Sequence, residues 1–334
     1  MAGPGVLRRI VWVSAPLLMA LGVFGLLGIS VGSSGLAPTD AFRAVWGGGG
    51  EHAMLHSIIW RIRLPRVVLG ALVGSTLSLG GLVFQALLRN PLAEPYILGI
   101  SGGSAVGAIT GILLGFSRFP GVCLMAFGGS MAVLALVVLM GAGGIRLRKE
   151  TLLLSGVMVN AFCSSVITFL LSISQDTRIH NILFWLMGDL SLPDLTQAGM
   201  LSLIVLPCFV LIFRFSNVMN LLLMGKEAAQ TMGVNAGSAT LMLLVFTSLM
   251  VSATVSYCGL LGFVGLVMPH LLRLILGPDH RVLVPACILG GGAYMILCDI
   301  LARVLPAQGE MPTGVITAMI GAPLFIYLLR RSRG

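Results

Sequence analysis

The sequence predicts an all-α polytopic membrane protein. Hydrophobic residues make up 57% of the 334-residue chain, charged residues only 9%, and the charges fall between apolar blocks rather than inside them. Soluble domains carry about 25% charged residues. An apolar block of about 20 residues with almost no charge is what a helix needs to cross roughly 30 Å of hydrocarbon. Only 11 residues are Asp or Glu, and Asp299 alone sits well inside a block.

Ten blocks can be drawn, so about ten transmembrane helices are expected: 10–31, 64–88, 96–115, 121–143, 151–173, 198–214, 238–257, 260–276, 282–304 and 313–330. The first follows Arg8 and Arg9 in the manner of a signal peptide. It is longer than a usual signal core and no small-x-small cleavage site follows, so it reads as an uncleaved span. The third carries Gly99, Gly103, Gly107, Gly111 and Gly115, an i+4 series on one helical face. Such a strip lets another backbone approach closely and predicts helix packing; lining of a pathway is the alternative. The run Gly99-Ile100-Ser101-Gly102-Gly103 within it matches GxSxG. A nucleophile elbow requires a strand–turn–helix context with His and acid partners, whereas this run enters an apolar helix.

The eighth block contains Met268-Pro269-His270, and His270 reads as a helix-end residue beside Arg273. In the ninth, Asp299 and Arg303 stand four apart on one helical face, the spacing of an ion pair. The longest breaks are 32–63, 174–197 and 215–237. The first holds the flexible run Gly47–Gly50 and an amphipathic stretch from His52 to Trp60; the second reads as a short interfacial helix over 178–188, with Trp185 suited to the membrane–water boundary. Either a plain surface or reentrant helix or a substrate-facing one fits there. The third contains 222–234, where Gly225, Ala229 and Gly233 make one smooth helical face and Lys226, Glu227 and Gln230 make the rest polar, a shape suited to a partner's groove.

Orientation follows from Lys and Arg. With the N-terminus cytoplasmic, the inside group is Arg8, Arg9, Arg89, Arg146, Arg148, Lys149, Arg214, Lys226, Arg273, Arg281, Arg330, Arg331 and Arg333. The outside group is Arg43, Arg61, Arg63, Arg66, Arg118, Arg178 and Arg303, so 13 stand against 7 and both termini are expected in the cytoplasm. Three of the outside residues crowd into Arg61, Arg63 and Arg66, a basic cluster on the side where the rule disfavours one.

Several function classes are disfavoured. The net charge of +9 flanks apolar blocks instead of forming a dense patch, which excludes a nucleic-acid partner. The six cysteines lie in or beside apolar blocks with no CxxC pair, so they read as small core hydrophobes and neither a metal site nor a cofactor is implied. A carrier driven by protons or sodium usually has several ionisable groups at membrane depth, and this chain nearly lacks them. An ion-coupled secondary transporter is therefore the alternative reading, and an intramembrane hydrolase rests on the GxSxG match alone.

Further residues carry a family resemblance. The run Arg63-Leu64-Pro65-Arg66, then Gln85 to Arg89, Asn90-Pro91-Leu92-Ala93-Glu94-Pro95 and Leu98-Gly99-Ile100-Ser101 resemble the iron-complex and cobalamin permeases of bacterial ABC importers, the FecCD type. So do Gly262-Phe263-Val264-Gly265-Leu266-Val267-Met268-Pro269-His270, Asp279-His280-Arg281 and Gly314-Val315-Ile316-Thr317 with Gly321-Ala322-Pro323, all in order over about residues 60–330. The resemblance implies a cobalamin-importer-like permease fold (type II ABC importer) in the bacterial cytoplasmic membrane. It implies a homodimer with the translocation path between the copies, one cytoplasmic ATPase subunit docked on each, and a solute-binding protein that delivers an iron chelate (siderophore or haem) or cobalamin. Hydrolysis would lie on the separate ATPase, since no GxxxxGK[ST] phosphate loop is present. The 222–234 segment, with Gly225, Lys226, Glu227, Ala229, Gln230 and Gly233, matches the family's ATPase-coupling helices. Asn90, Pro91 and Leu92 correspond to a cytoplasmic gate. Arg63, Arg66 and Arg303 match arginines that meet acidic residues of the binding protein. One departure is the turn Arg148-Lys149-Glu150-Thr151, charged where the cobalamin-type member has small hydroxyl residues at the gate.

Overall fold

A computed structural model describes residues 4–31, 53–143, 146–147, 149–191, 194–306 and 309–331. The Gly47–Gly50 run, Arg43, His52, Arg148 and Arg333 lie outside the described residues. Nearly all the rest is helix: α1 (Pro4–Ser30), α2 (Ala53–Ile58), α3 (Leu64–Leu88), α4 (Ile100–Leu113), α5 (Cys123–Gly141), α6 (Lys149–Ser172), α7 (Asp176–Met187), α8 (Leu195–Arg214), α9 (Ser216–Met224), α10 (Lys226–Thr231), α11 (Ala236–Cys258), α12 (Val264–Leu276), α13 (His280–Val304) and α14 (Thr313–Arg331). Two-residue strands β1 (Ala142–Gly143) and β2 (Arg146–Leu147) pair antiparallel between α5 and α6. Each of the ten apolar blocks coincides with one helix, and α7 falls on the short helix expected near 178–188.

Among the described residues, seven helical segments are long and apolar enough to cross a membrane, and Ile100–Leu113, Val264–Leu276 and Thr313–Leu328 are shorter. Two of the short ones lose their first turns to irregular backbone. The block from 96 opens as a 3₁₀ turn over Pro95–Leu98, and Gly99 at φ 79° then turns the chain into α4. The block from 260 stays non-helical until Phe263 at φ 68°, and α12 follows. Irregular backbone at membrane depth needs protein partners for its polar groups. The Tyr96 hydroxyl supplies them to Leu261, donating to its carbonyl at 3.1 Å and accepting from its N–H at 3.1 Å.

The stretch from His52 and the span from 64 are not separate. The helix runs on from His56 to Leu88 over 33 residues, through a π turn at Ile59–Arg63. Pro65 has no N–H and its ring clashes with the carbonyl four residues earlier in a regular helix, so the widened turn accommodates it. His270 likewise lies inside α12 rather than at a helix end, because the helix continues to Leu276.

The helices form two compact units. The first comprises residues 1–79, 189–206 and 262–334. In it α1 packs on α13, and α3 meets α13 at a glycine pair: a Cβ on Gly74 would fall on the Gly291 carbonyl, and one on Gly291 would lie 2.5 Å from the Gly74 carbonyl oxygen. Ser75 donates to the Ile288 carbonyl at 2.6 Å beside that crossing. Cys298, Ala302 and Ile316 join α13 to α14 in a small apolar cluster.

The second unit comprises residues 80–188 and 207–261. Here the glycine strip of α4 packs on α5. A Cβ on Gly103 would lie 2.5 Å from the Gly129 carbonyl oxygen, and one on Gly107 would overlap the Met125 carbonyl and come within 3.1 Å of Ala126 Cα. Gly129 returns the contact with Gly103, so the two backbones touch directly. The strip is shorter than the sequence pattern: Gly99 and Gly115 both have φ 79° and punctuate the two ends of α4. Gly115 has nothing near it.

Substitution of Gly107 by Leu should part α4 from α5. Overpacking against side chains costs about 1–3 kcal/mol, and here the obstacle is backbone. Thermal unfolding in detergent should show a large loss for Gly107→Leu and little change for Gly128→Ala, whose Cβ meets nothing within 4 Å. Equal melting of both variants with the parent would remove the packing role of the strip.

Candidate functional site

The three arginines assigned by resemblance to binding-protein docking come together in the first unit, with Asp299. The π turn and the start of α3 carry Arg63 and Arg66, and the last turns of α13 carry Asp299 and Arg303. Arg66 Nε donates to both Asp299 oxygens, at 2.8 and 3.1 Å, and Arg303 Nε lies 3.2 Å from Asp299 Oδ2. The Thr313 hydroxyl adds a fourth contact at 3.2 Å. Arg66 Nη1 also reaches Glu310 Oε2 at 2.5 Å, on the segment between α13 and α14. The expected Asp299–Arg303 pair is thus part of a larger cluster.

Arg63 and Arg303 close the end of α1. Arg63 Nη1 donates to the carbonyls of Ile29 and Ser30 at 2.7 and 2.8 Å, and Arg303 Nη1 to those of Gly28 and Val31 at 3.0 Å each. A helix leaves its last carbonyls unpaired and carries partial negative charge there, so two cations are suited to that end. At the other end of α1, Arg9 donates to the Leu276 carbonyl, the last of α12. Arg63, Arg66 and Arg303 are only 5%, 3% and 5% exposed, while Arg61 is exposed. All three are thus bonded inside the protein. Arg303 Nη2 is buried with no partner among the described residues. Glu310, exposed at the cluster's edge, carries no pattern that sequence reading could have used.

In the second unit, α3 ends at the turn assigned to the gate. The Arg89 N–H donates to Ala86 O at 3.4 Å and the Asn90 N–H to Gln85 O at 3.2 Å, the crossed pair of a Schellman closure. Arg89 takes φ 50° at the position glycine usually fills, a strain on the order of 1–3 kcal/mol. Asn90 Oδ1 accepts from the Leu92 N–H at 3.0 Å and Asn90 O from the Ala93 N–H at 3.0 Å, so the turn is braced, with Pro91 and Leu92 exposed. Arg89 Nη2 donates to the Leu222 carbonyl at 2.6 Å, which ties this turn to the last turn of α9. Nothing in the spacing of Arg89 and Leu222 could have shown that bond.

The 222–234 segment is not one helix with one smooth face. Gly225, at φ 132°, breaks it between α9 and α10, and Gly233, at φ 79°, lies beyond the end of α10. Ala229 is fully buried, so it packs inward and cannot share an outer face with them. Positive φ, which the small residues permit, is what the i+4 pattern concealed. The segment instead exposes Met224 and Met232, at 70% and 63%, with Leu223, Glu227 and Gln230. Lys226 is the first residue of α10.

Several other singled-out residues have simpler places. Ser101 lies in the first turn of α4, without the strand that a nucleophile elbow requires. Lys149, Glu150 and Thr151 form the first turn of α6 rather than a loop. His270 is buried edge-on to Phe325, with ring centroids 6.0 Å apart. All six cysteines are buried thiols, and among the described residues no group of three His, Cys, Asp or Glu is placed to hold a metal. On α6, the exposed hydroxyls of Ser164, Ser165 and Thr168 bond back to carbonyls of the preceding turn at 3.0–3.2 Å.

A set of apolar helices with paired buried charges, and with short helices between spans, defines a polytopic membrane protein. The model of the FecCD transport family matches residues 18–331, and the chain belongs to that family. It is 38% identical over 327 residues to the vitamin B12 import system permease protein BtuC of Citrobacter koseri, covering 98% of this chain and 96% of that one. It is 37% identical over 312 residues to the hemin transport system permease protein HmuU of Yersinia pestis, covering 91% and 92%. A solved structure described as an inward-facing conformation of a metal-chelate type ABC transporter superposes with a TM-score of 0.83 at 30% identity, over 95% of this chain and 98% of that one. The chain is therefore a permease of the ABC-importer class.

Asp299→Asn should be among the most damaging single changes, because it leaves two buried guanidiniums without their carboxylate. Removing one partner of a buried pair costs about 3–5 kcal/mol. Glu310→Gln breaks only an edge contact and should cost about 1 kcal/mol or less. Unfolding by SDS titration in mixed micelles ranks the two, and equal destabilisation would contradict this account of the cluster.

Proposed function

We propose that this permease imports a bulky metal chelate, a corrinoid, haem or ferric siderophore, handed over by an extracytoplasmic binding protein and driven by two cytoplasmic ATPase subunits. What supports this most is that relatives named for vitamin B12 and haem transport align with more than nine-tenths of the chain. The ion-coupled alternative needs an acid free to load and release a cation. Asp299 is held by Arg66, Arg303 and Thr313 instead. In this reading the protein is a homodimer in the cytoplasmic membrane with both termini inside. Asn90, Pro91 and Leu92 form the cytoplasmic gate. The α9–α10 segment docks the ATPase through Gly225, Lys226, Glu227, Gln230 and Gly233, with Met224 and Met232 as its apolar anchors and buried Ala229 packing inward. Arg63, Arg66 and Arg303 remain the docking site for an acidic residue of the binding protein, which would reach Arg66 from the Glu310 side.

Uptake into proteoliposomes tests the class and the substrate together. Cyanocobalamin, haemin or a ferric hydroxamate should accumulate only with the ATPase partner, the binding protein and ATP, and an imposed proton or sodium gradient should have no effect. Gradient-driven uptake without ATP would sink the proposal. Met224→Glu with Met232→Glu should lower co-purification of the ATPase at least tenfold. The docking assignment has its own readout. Glu310→Gln removes the carboxylate that competes for Arg66 and should tighten capture of the binding protein several-fold at low salt, since screening weakens such contacts. Unchanged affinity would assign the arginines to the fold alone.

A further inference from the structure

We propose that Arg89 is a positioning residue that transmits movement of the α9–α10 segment to the Asn90–Leu92 turn; the inference rests on the reading of those segments as ATPase-coupling element and gate. Three observations in the second unit converge on it. The first is the identity of the residue. Arg89 closes α3 at φ 50°, a left-handed position where glycine is unstrained and arginine is not. Strain of this kind persists only where surrounding structure holds it, and it gathers at switch regions. A glycine would close the helix equally well, so the side chain has to account for the arginine.

The second observation is where that side chain goes. Its Nη2 donates to the Leu222 carbonyl at 2.6 Å, across 133 residues of sequence. That carbonyl also accepts the Gly225 N–H at 3.4 Å, and Gly225, at φ 132°, is the break between α9 and α10. The guanidinium thus holds the negative end of α9, next to the hinge of the coupling segment, through a charge-assisted bond. The third is the stiffness of the receiving side. Asn90 binds the Leu92 N–H through its side chain and the Ala93 N–H through its carbonyl, so residues 90–93 move as a unit from the residue after Arg89. Displacement of the α9 terminus therefore reaches exposed Leu92 through one guanidinium and one braced turn. A residue that merely capped α3 would need no bond to Leu222.

The experiment uses the assembled permease–ATPase complex in nanodiscs with Leu92→Cys as a reporter. The six native cysteines are buried, which keeps background labelling low. Labelling by a water-soluble maleimide is timed without nucleotide and with ATP and vanadate. Expected is a labelling rate that changes about tenfold on nucleotide trapping when Arg89 is present and less than twofold in Arg89→Gly, a variant that relaxes the backbone at φ 50° and removes the side chain that reaches Leu222. Arg89→Lys, which keeps a cationic donor, should restore an intermediate response. A full response in Arg89→Gly overturns the transmission role while leaving the gate and coupling assignments intact. No response with Arg89 present overturns those assignments and the inference with them.

Discussion

A carboxylate at membrane depth has to be neutralised where it stands, and the first unit is organised around how Asp299 meets that demand. Two guanidiniums and a hydroxyl surround it, supplied by α3, α13 and α14. Arg303, together with Arg63, also closes the carbonyl end of α1. One buried charge therefore fixes the relative placement of helices distant in sequence, and a helix with little buried surface of its own is held at its ends by cations. Such a cluster adds less net stability than its contacts suggest, because every charge in it is desolvated. An alternative packing that separated these groups would leave an arginine or an aspartate alone in an apolar interior, which is strongly unfavourable.

Away from that cluster, backbone contact does the work that a hydrophobic driving force does in water. Lipid is as apolar as leucine, so helices associate where they fit most closely. The Gly103–Gly129 contact in the second unit and the Gly74–Gly291 contact in the first are of this kind. The first was visible as a periodic strip. The second was not, because Gly74 and the Gly290-Gly291-Gly292 run each lack a long i+4 series. At the ends of the strip glycine served a different purpose, the left-handed turns at Gly99 and Gly115. Spacing alone cannot separate a glycine kept for closeness from one kept for its dihedral angle.

The same ambiguity shaped the 222–234 segment. Gly225 and Gly233 permit turns, and Ala229 is buried between them, so the exposed surface falls to methionines that the periodic pattern had passed over. Polar backbone freed by irregular turns finds partners inside the protein, as Leu261 does at Tyr96 and the last turn of α9 does at Arg89.

The sequence by itself determined the membrane class, the ten apolar helices, the short helix near residue 180 and the family, since each depends on local hydrophobicity or on contiguous motifs. It also marked Asp299 and Arg303 as a pair, because four residues apart on a helix is a local relation. Only the tertiary structure decided that Arg63 and Arg66 join that pair, that Glu310 stands at its edge, and that Arg89 meets Leu222. It decided too that the chain is helical through Pro65 and broken at Gly225. These outcomes depend on partners tens to hundreds of residues away. Hydropathy and periodicity describe what a segment needs, a dry face or a paired charge, whereas the identity of the group that satisfies the need is set when the helices pack.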